Sequence, residues 1–220
     1  MLGALWRSAR AGRRSIPPAL WSQCGLSGAP IGCPLSTGGP STSVPPPDTS
    51  RAGTADLCDV FMPEPVDQVC ERKVAIVQPI FRDFGGNKRC AGRISTVKCF
   101  ENNPLVRKAL EEDGQGRVLV VDGGGSLRCA LLGDNLAEMG HKNGWSGIIV
   151  NGCIRDSEDI SKMPLLVKAL SPYPLKSSKR DPGLRDVPVT FGGVTFCPGQ
   201  FLYADGDGIL VSEEELKVAP

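Results

Sequence analysis

The segment that most constrains the fold is residues 117–153, where two short apolar runs flank a helical one. RVLVVDGG (117–124) and GIIVNGC (147–153) are dominated by Val, Ile and Leu, the composition of strands buried on both faces. Between them, LLGDNLAEMGHKNG (131–144) puts Leu132, Leu136 and Met139 on one side of a helix, which Asn143-Gly144 ends. Strand, helix and strand in this order imply a layered α/β arrangement.

The flanking sequence extends the pattern. ADLCDVF (55–61) reads as a short helix with Thr54 as its N-cap. KVAIVQPIF (73–81) and RISTVKCF (93–100) read as strands, separated by the glycine-rich loop FGGNKRCAG (84–92). NNPLVRKALEEDGQG reads as a helix capped by Asn103, with Pro104 in its first turn. The stretch 164–186, PLLVKALSPYPLKSSKRDPGLRD, reads as a long basic connection. VPVTFGGVTF (187–196) and PGQFLYADGDGILVS (198–212) are strand-rich, and Asp205-Gly206-Asp207-Gly208 reads as a hairpin turn.

The first fifty residues have a different character. Arg7, Arg10, Arg13 and Arg14 occur before the first acid, Asp48, with Leu2, Leu5 and Trp6 among them. This is the signature of an organelle transit peptide, mitochondrial rather than plastid from its closely spaced arginines. Without that role the tail leaves a cytoplasmic protein. Ser, Gly and Pro then dominate up to Pro45-Pro46-Pro47, which gives a disordered linker through residue 50.

Composition excludes several classes. The 25 basic residues nearly cancel the 24 acidic ones, so neither nucleic acid nor an anionic membrane is expected as a partner. No apolar run reaches the roughly 18 residues that span a bilayer. The nine cysteines form no C-x-x-C and no zinc-type quartet. Most read as small buried side chains in a reducing compartment.

The candidate chemistry lies at the carboxyl ends of the two buried strands, where ligands gather in open α/β sheets. Asp134 stands in the first turn of the intervening helix. The backbone N–H groups from Gly133 to Leu136, including Asn135, are expected to face outward unpaired and to suit a carboxylate. Arg155 brings a planar guanidinium that holds a carboxylate through two parallel hydrogen bonds. Asp156 offers hard oxygen donors to Mg²⁺ or Mn²⁺, and Asp134, Glu158 and Asp159 are candidates to hold the metal's waters. Lys142 and Lys168 read as solvated charges. His141, the only histidine, reads as an exposed charge at the end of the helix.

The order and spacing of these residues resemble a known family. VDGGGSLRCALLGDNLAEMGHKNGWSGIIVNGCIRDSEDI is similar to the family that contains 4-hydroxy-4-methyl-2-oxoglutarate aldolase and the ribonuclease E activity regulator A. Asp134, twenty residues, then Arg155-Asp156 reproduces the family spacing, and Asp159 matches an acid of the aldolase-type members. The likeness spans about 54–215 and includes FGGV (191–194) and CPGQFLYADGDGILV (197–211). Gln200 stands where the family usually has Asp. The resemblance implies a compact β/β/α fold like a swivelling domain, assembled as a ring-shaped homotrimer. It implies catalysis by Asp134, Arg155 and Asp156, with substrate held by Gly133, Asp134, Asn135, Leu136 and Arg155, and metal at Asp156. The implied reaction is metal-dependent cleavage of 4-hydroxy-4-methyl-2-oxoglutarate to pyruvate, with decarboxylation of oxaloacetate at the same site. The alternative it implies is a regulator without catalysis, bound to a ribonuclease or another protein.

Overall fold

The computed structural model of the chain describes residues 53–62, 74–180 and 183–217. The proposed transit peptide and linker lie outside them. In chain order the elements begin with α1 (Thr54–Phe61), β1 (Val74–Ile76), β2 (Arg82–Asp83), β3 (Cys90–Lys98) and α2 (Pro104–Leu110). The middle holds β4 (Val118–Asp122), β5 (Ala130–Leu132), α3 (Asp134–Lys142), β6 (Gly147–Ile154), α4 (Ser157–Ile160) and β7 (Leu166–Pro172). The last are β8 (Leu184–Arg185), β9 (Val189–Phe191), β10 (Val194–Phe196), β11 (Phe201–Ala204) and β12 (Ile209–Ser212).

One mixed sheet organises the molecule, in the order β1-β12-β11-β3-β4-β6-β7-β2. Strands β3, β4, β6 and β7 run parallel, and β5 pairs in parallel with the carboxyl end of β6. The other half is antiparallel: β11 joins β3, and β12 joins both β11 and β1. Strand β3 links the halves, pairing with β11 through Cys90–Arg93 and with β4 through Ile94–Lys98.

Burial explains the layers. Every residue of β4 is buried: Leu119 and Val121 face a core with Val106, Leu110, Leu136 and Ile160 of the helices. Val118 and Val120 face the opposite core, with Phe191, Phe196, Leu202 and Val211 of the later strands. Helices, parallel sheet and late strands therefore form the expected β/β/α stack. A third cluster seats Leu57 of α1 on Val74, Phe201 and Leu210. Among the described residues no helix is long and apolar enough to cross a membrane.

Several expectations change. Strand β1 is short because the chain leaves β12 at Gln78, whose N–H donates instead to the Gly192 carbonyl at 2.8 Å. Strand β3 begins at Cys90, so the end of the supposed glycine loop is strand. Leu131 and Leu132 form β5, not the start of a helix, and α3 begins at Asp134. Thr54 lies inside α1; its N–H and hydroxyl reach Asp205 at 2.7 and 2.6 Å, while Gly53 takes the cap position. Asn103 stands at the cap of α2, but its amide donates to the Leu131 carbonyl at 3.0 Å.

The basic connection contains β7, fully buried over its first half. Its Lys168 is not solvated: the side chain is 4% exposed, with Nζ 2.7 Å from Asp83 Oδ1 on β2. That contact is an ion pair whose angle falls outside hydrogen-bond geometry. Lys142 is exposed as expected and pairs with Glu138. Cys90, Cys129 and Cys153 are buried free thiols and Cys99 is buried, as expected for most of the cysteines, whereas Cys197 is disulfide-bonded. The FGGV turn between β9 and β10 has φ of 58° at Gly192 and 76° at Gly193, the tight hairpin geometry that glycine alone adopts cheaply.

Candidate functional site

The site forms where β5 and β6 end side by side. Ala130 pairs with Cys153 and Leu132 with Ile154, and the Arg155 N–H closes the ladder on the Leu132 carbonyl at 2.9 Å. The next residues, Gly133 and Asp156, begin α3 and α4 respectively, so two helix starts meet at one sheet edge. Asp156 adopts left-handed backbone, φ 55° and ψ 38°, a conformation Asp tolerates better than most residues. Its carbonyl accepts the N–H groups of Asp159 and Ile160 and so starts α4.

Arg155 and Asp156 are the close pair. Arg155 Nε lies 3.2 Å from Asp156 Oδ2, and the side chains are 38% and 36% exposed. With Nε beside Asp156, the two terminal nitrogens of the guanidinium make no hydrogen bond among the described residues. Gly133 is pressed against this pair: a Cβ there would lie 2.8 Å from Asp156 Oδ2 and 3.2 Å from Arg155 Nε. No side chain larger than hydrogen fits without moving the carboxylate.

Asp134 is placed differently from expectation. Its Oδ1 accepts the Asn135 N–H at 2.7 Å and the Asn135 side-chain amide at 2.8 Å. The Leu136 N–H is held by the Gly133 carbonyl at 3.2 Å. The expected set of four outward donors is thus reduced to Gly133 and Asp134. The helix start attracts an anion, and the chain's own Asp134 carboxylate answers it. No hydrogen bond joins Asp134 to Arg155 or Asp156 among the described residues. Leu136 is buried in the core on the helix side, and Asp159 Oδ1 pairs with Lys162 at 2.9 Å.

The residues fit a divalent metal that keeps most of its water. Asp156 Oδ1 has no protein partner among the described residues, and magnesium commonly takes only one or two protein carboxylates. No three His, Cys, Asp or Glu side chains gather as a closed cage among those residues.

Sequence reasoning missed the supports of this edge. The glycine loop after β4 does not form an open cradle. Gly123 and Gly125 donate to the Asn151 carbonyl, and Gly124 donates to Asp122 Oδ1 at 3.0 Å. Asn151 donates to the same oxygen at 3.0 Å, so a buried polar pair ties the end of β4 to the interior of β6. One signal was available, since Asn151 interrupts an otherwise apolar strand. Outside the loop, Glu101 accepts from Arg128 and from Ser126, each at 2.7 Å. The Arg128 and Ser126 hydrogen bonds hold the Glu101 carboxyl below its usual range.

Residues 54–211 match the family model RraA-like, described as Aldolase/RraA. The chain belongs to the RraA-like family. Relatives agree over the same region. A protein of Aromatoleum aromaticum named "Putative 4-hydroxy-4-methyl-2-oxoglutarate aldolase" is 58% identical over 74% of this chain and 97% of its own length. A protein of the same name from Alkalilimnicola ehrlichii is 55% identical, over 74% and 96%. Among solved structures, the RNA-processing inhibitor RraA from Thermus thermophilis is 46% identical over 76% of this chain and 96% of that one, with a TM-score of 0.69. A Geobacillus kaustophilus structure, described as an S-adenosylmethionine:2-dimethylmenaquinone methyltransferase, is 45% identical over 76% of this chain and 100% of that one, with a TM-score of 0.68.

Proposed function

We propose that this RraA-like protein is a carbon–carbon lyase, a metal-dependent aldolase that cleaves 4-hydroxy-4-methyl-2-oxoglutarate to pyruvate and decarboxylates oxaloacetate at the same site. The observation that carries the reading is the Arg155–Asp156 pair packed against Gly133. It sets a carboxylate-binding fork beside a carboxylate with one oxygen open. The aldolase names of the Aromatoleum and Alkalilimnicola relatives supply the substrate class.

The terminal nitrogens of Arg155 grip the carboxylate next to the 2-oxo group. The Gly133 and Asp134 N–H groups add positive potential from the start of α3. Asp156 would hold Mg²⁺ or Mn²⁺, which when bound supplies Lewis-acid stabilisation of the enolate oxygen. Asp134, free to leave Asn135 at the exposed helix start, holds a water that carries protons, and Asp159 is a second candidate to hold water. The 4-hydroxyl loses its proton and the bond between C3 and C4 breaks. The electron pair passes to the 2-oxo group, leaving one pyruvate and one pyruvate enolate, which takes a proton at C3. Oxaloacetate reaches the same enolate by losing CO₂.

The protein acts as a homotrimer in this reading, in an organelle, with the mitochondrion favoured over the plastid by its Arg-bearing start. The test is turnover of both substrates by the purified protein with added Mg²⁺ or Mn²⁺, then with EDTA. Pyruvate should appear only with metal; full activity in EDTA would sink the metal role. A second reading, a regulator that binds a ribonuclease or other protein, draws on the Thermus relative and on the exposed Phe100, Leu127 and Leu175. Specific capture of a ribonuclease by protein inactive on both substrates would favour it.

A further inference from the structure

We propose that Tyr173 sets the substrate size accepted at this site, acting as a fixed wall beside Arg155; the inference rests on the aldolase reading above. The β6–β7 ladder ends at the Ile154–Pro172 pair, and the Tyr173 N–H then donates to the Ile154 carbonyl at 2.7 Å. The next rung therefore sets Tyr173 opposite Arg155. Paired residues of neighbouring strands direct their side chains to the same face, about 5 Å apart.

The backbone that carries the ring is held in place. Pro172 and Pro174 flank Tyr173, and a residue before proline is confined to extended conformations. The far end of this strap is tied to β5: the Ala130 N–H donates to the Leu175 carbonyl at 2.8 Å, and the Ser177 N–H donates to the Ala130 carbonyl at 3.1 Å. Residues 172–177 are thus fastened to the two strands that deliver Arg155 and Gly133. Tyr173 is 39% exposed, and its hydroxyl has no partner among the described residues. The other tyrosine, Tyr203, is buried and accepts the Leu216 N–H at 2.7 Å, an ordinary structural use. A rigid, exposed aromatic loses little entropy on contact with a ligand.

With the 2-oxo carboxylate on Arg155, carbons beyond the oxo group extend along the neighbouring rung. The Tyr173 ring offers an apolar face to a substituent at C4. The preferred class is a 2-oxo acid branched at C4. Oxaloacetate ends at C4 and reaches the ring less.

The experiment compares kcat and KM for 4-hydroxy-4-methyl-2-oxoglutarate and oxaloacetate in the full chain with Mg²⁺, for wild type, Tyr173→Ala and Tyr173→Phe. Removing one wall of a pocket is worth about 10-fold in selectivity. Tyr173→Ala should raise KM for the branched substrate by about that factor, with kcat and the oxaloacetate constants nearly unchanged. Tyr173→Phe keeps the ring and should stay close to wild type on both. Equal losses on the two substrates, or no change on either, would overturn the inference while leaving the aldolase reading intact. Wild-type protein inactive on both would overturn the aldolase reading itself. Thermal midpoints of the variants report folding, and if Tyr173→Ala does not fold, Tyr173→Leu, which removes the ring but keeps apolar bulk, should raise KM for the branched substrate in the same direction.

Discussion

Gly133→Ala is the sharpest perturbation of the site that leaves every charge in place. The new Cβ would lie 2.8 Å from Asp156 Oδ2, 3.2 Å from Arg155 Nε and 3.4 Å from Arg155 Cγ. Ordinary contact requires roughly 3.4 Å, so the carboxylate must retreat by about 0.5 Å. A displacement of 1 Å at reacting groups costs about 100-fold in rate, so half of it costs about 10-fold, or ~1.4 kcal/mol of transition-state stabilisation. Folding should change less. Gly133 has φ of −131° and ψ of −178°, which alanine adopts freely. Replacing Gly at an N-cap costs about 0.5–1 kcal/mol, offset by a similar gain from a less flexible unfolded chain. The assay is pyruvate release with Mg²⁺, set beside urea denaturation. Gly206→Ala is the control, since nothing lies within 4 Å of that Cβ and its φ is not positive. A Gly133→Ala protein with wild-type kcat/KM would refute the claim that Gly133, Arg155 and Asp156 form one site.

Three further outcomes follow from the fold. Burial pushes the Asp205 carboxyl up, but hydrogen bonds from Thr54, Asp207 and Gly208 outweigh it and hold the group below its usual range. Its stabilisation is therefore present above the unfolded value near pH 4 and lost as pH falls through the folded one. Asp205→Asn should lower stability by about 2 kcal/mol at pH 7, and the gap to wild type in urea midpoints should narrow as the pH falls below the ordinary carboxylate range. Lys168→Met leaves Asp83, on the partly exposed side of the pair, to rehydrate, and should cost about 2 kcal/mol; Asp83→Ala strands a buried ammonium and should cost more, about 3–5 kcal/mol. Chemical denaturation of both variants and the double mutant checks the order. Cys90 is buried and its thiol is pushed up to about 12 by that burial. Peptide mapping after iodoacetamide treatment at pH 8 should find Cys90 unmodified in native protein and modified in urea.

The parallel half of the sheet was legible because β4 and β6 are apolar on both faces, a pattern few other structures require. The hairpin between β11 and β12 was legible from DGDG, whose glycines and aspartates specify a turn, whereas 187–196 read as one strand-rich run that the FGGV turn splits into β9 and β10. Strand β5 was hidden because Ala130–Leu132 is too short to show a period and abuts a helix whose apolar stripe Leu132 mimics. Strand β7 was hidden by Lys168, a charge that signals solvent until its partner Asp83, 85 residues earlier in the chain, is known. At the site, the spacing of Asp134 and Arg155-Asp156 pointed to two element ends at one sheet edge, where the structure sets Gly133 against the Arg155–Asp156 pair. It did not reveal that Asp134 folds back onto Asn135, because that choice depends on a side-chain rotamer. Nor did it reveal the strap at 172–177, whose place depends on long-range bonds to Ala130 and Ile154.

The central claim is that a 2-oxo acid and a divalent metal meet at Arg155 and Asp156. The most direct test is the rate of pyruvate release from 4-hydroxy-4-methyl-2-oxoglutarate by Arg155→Ala and Asp156→Ala, each compared with wild type at saturating Mg²⁺. Both side chains are more than a third exposed, so Arg155→Ala should keep a wild-type midpoint, while Asp156→Ala, which puts alanine in left-handed backbone, should lose about 1 kcal/mol of stability and still fold. The account predicts a loss of about 100-fold or more in kcat/KM for each. A wild-type rate in either variant would contradict it.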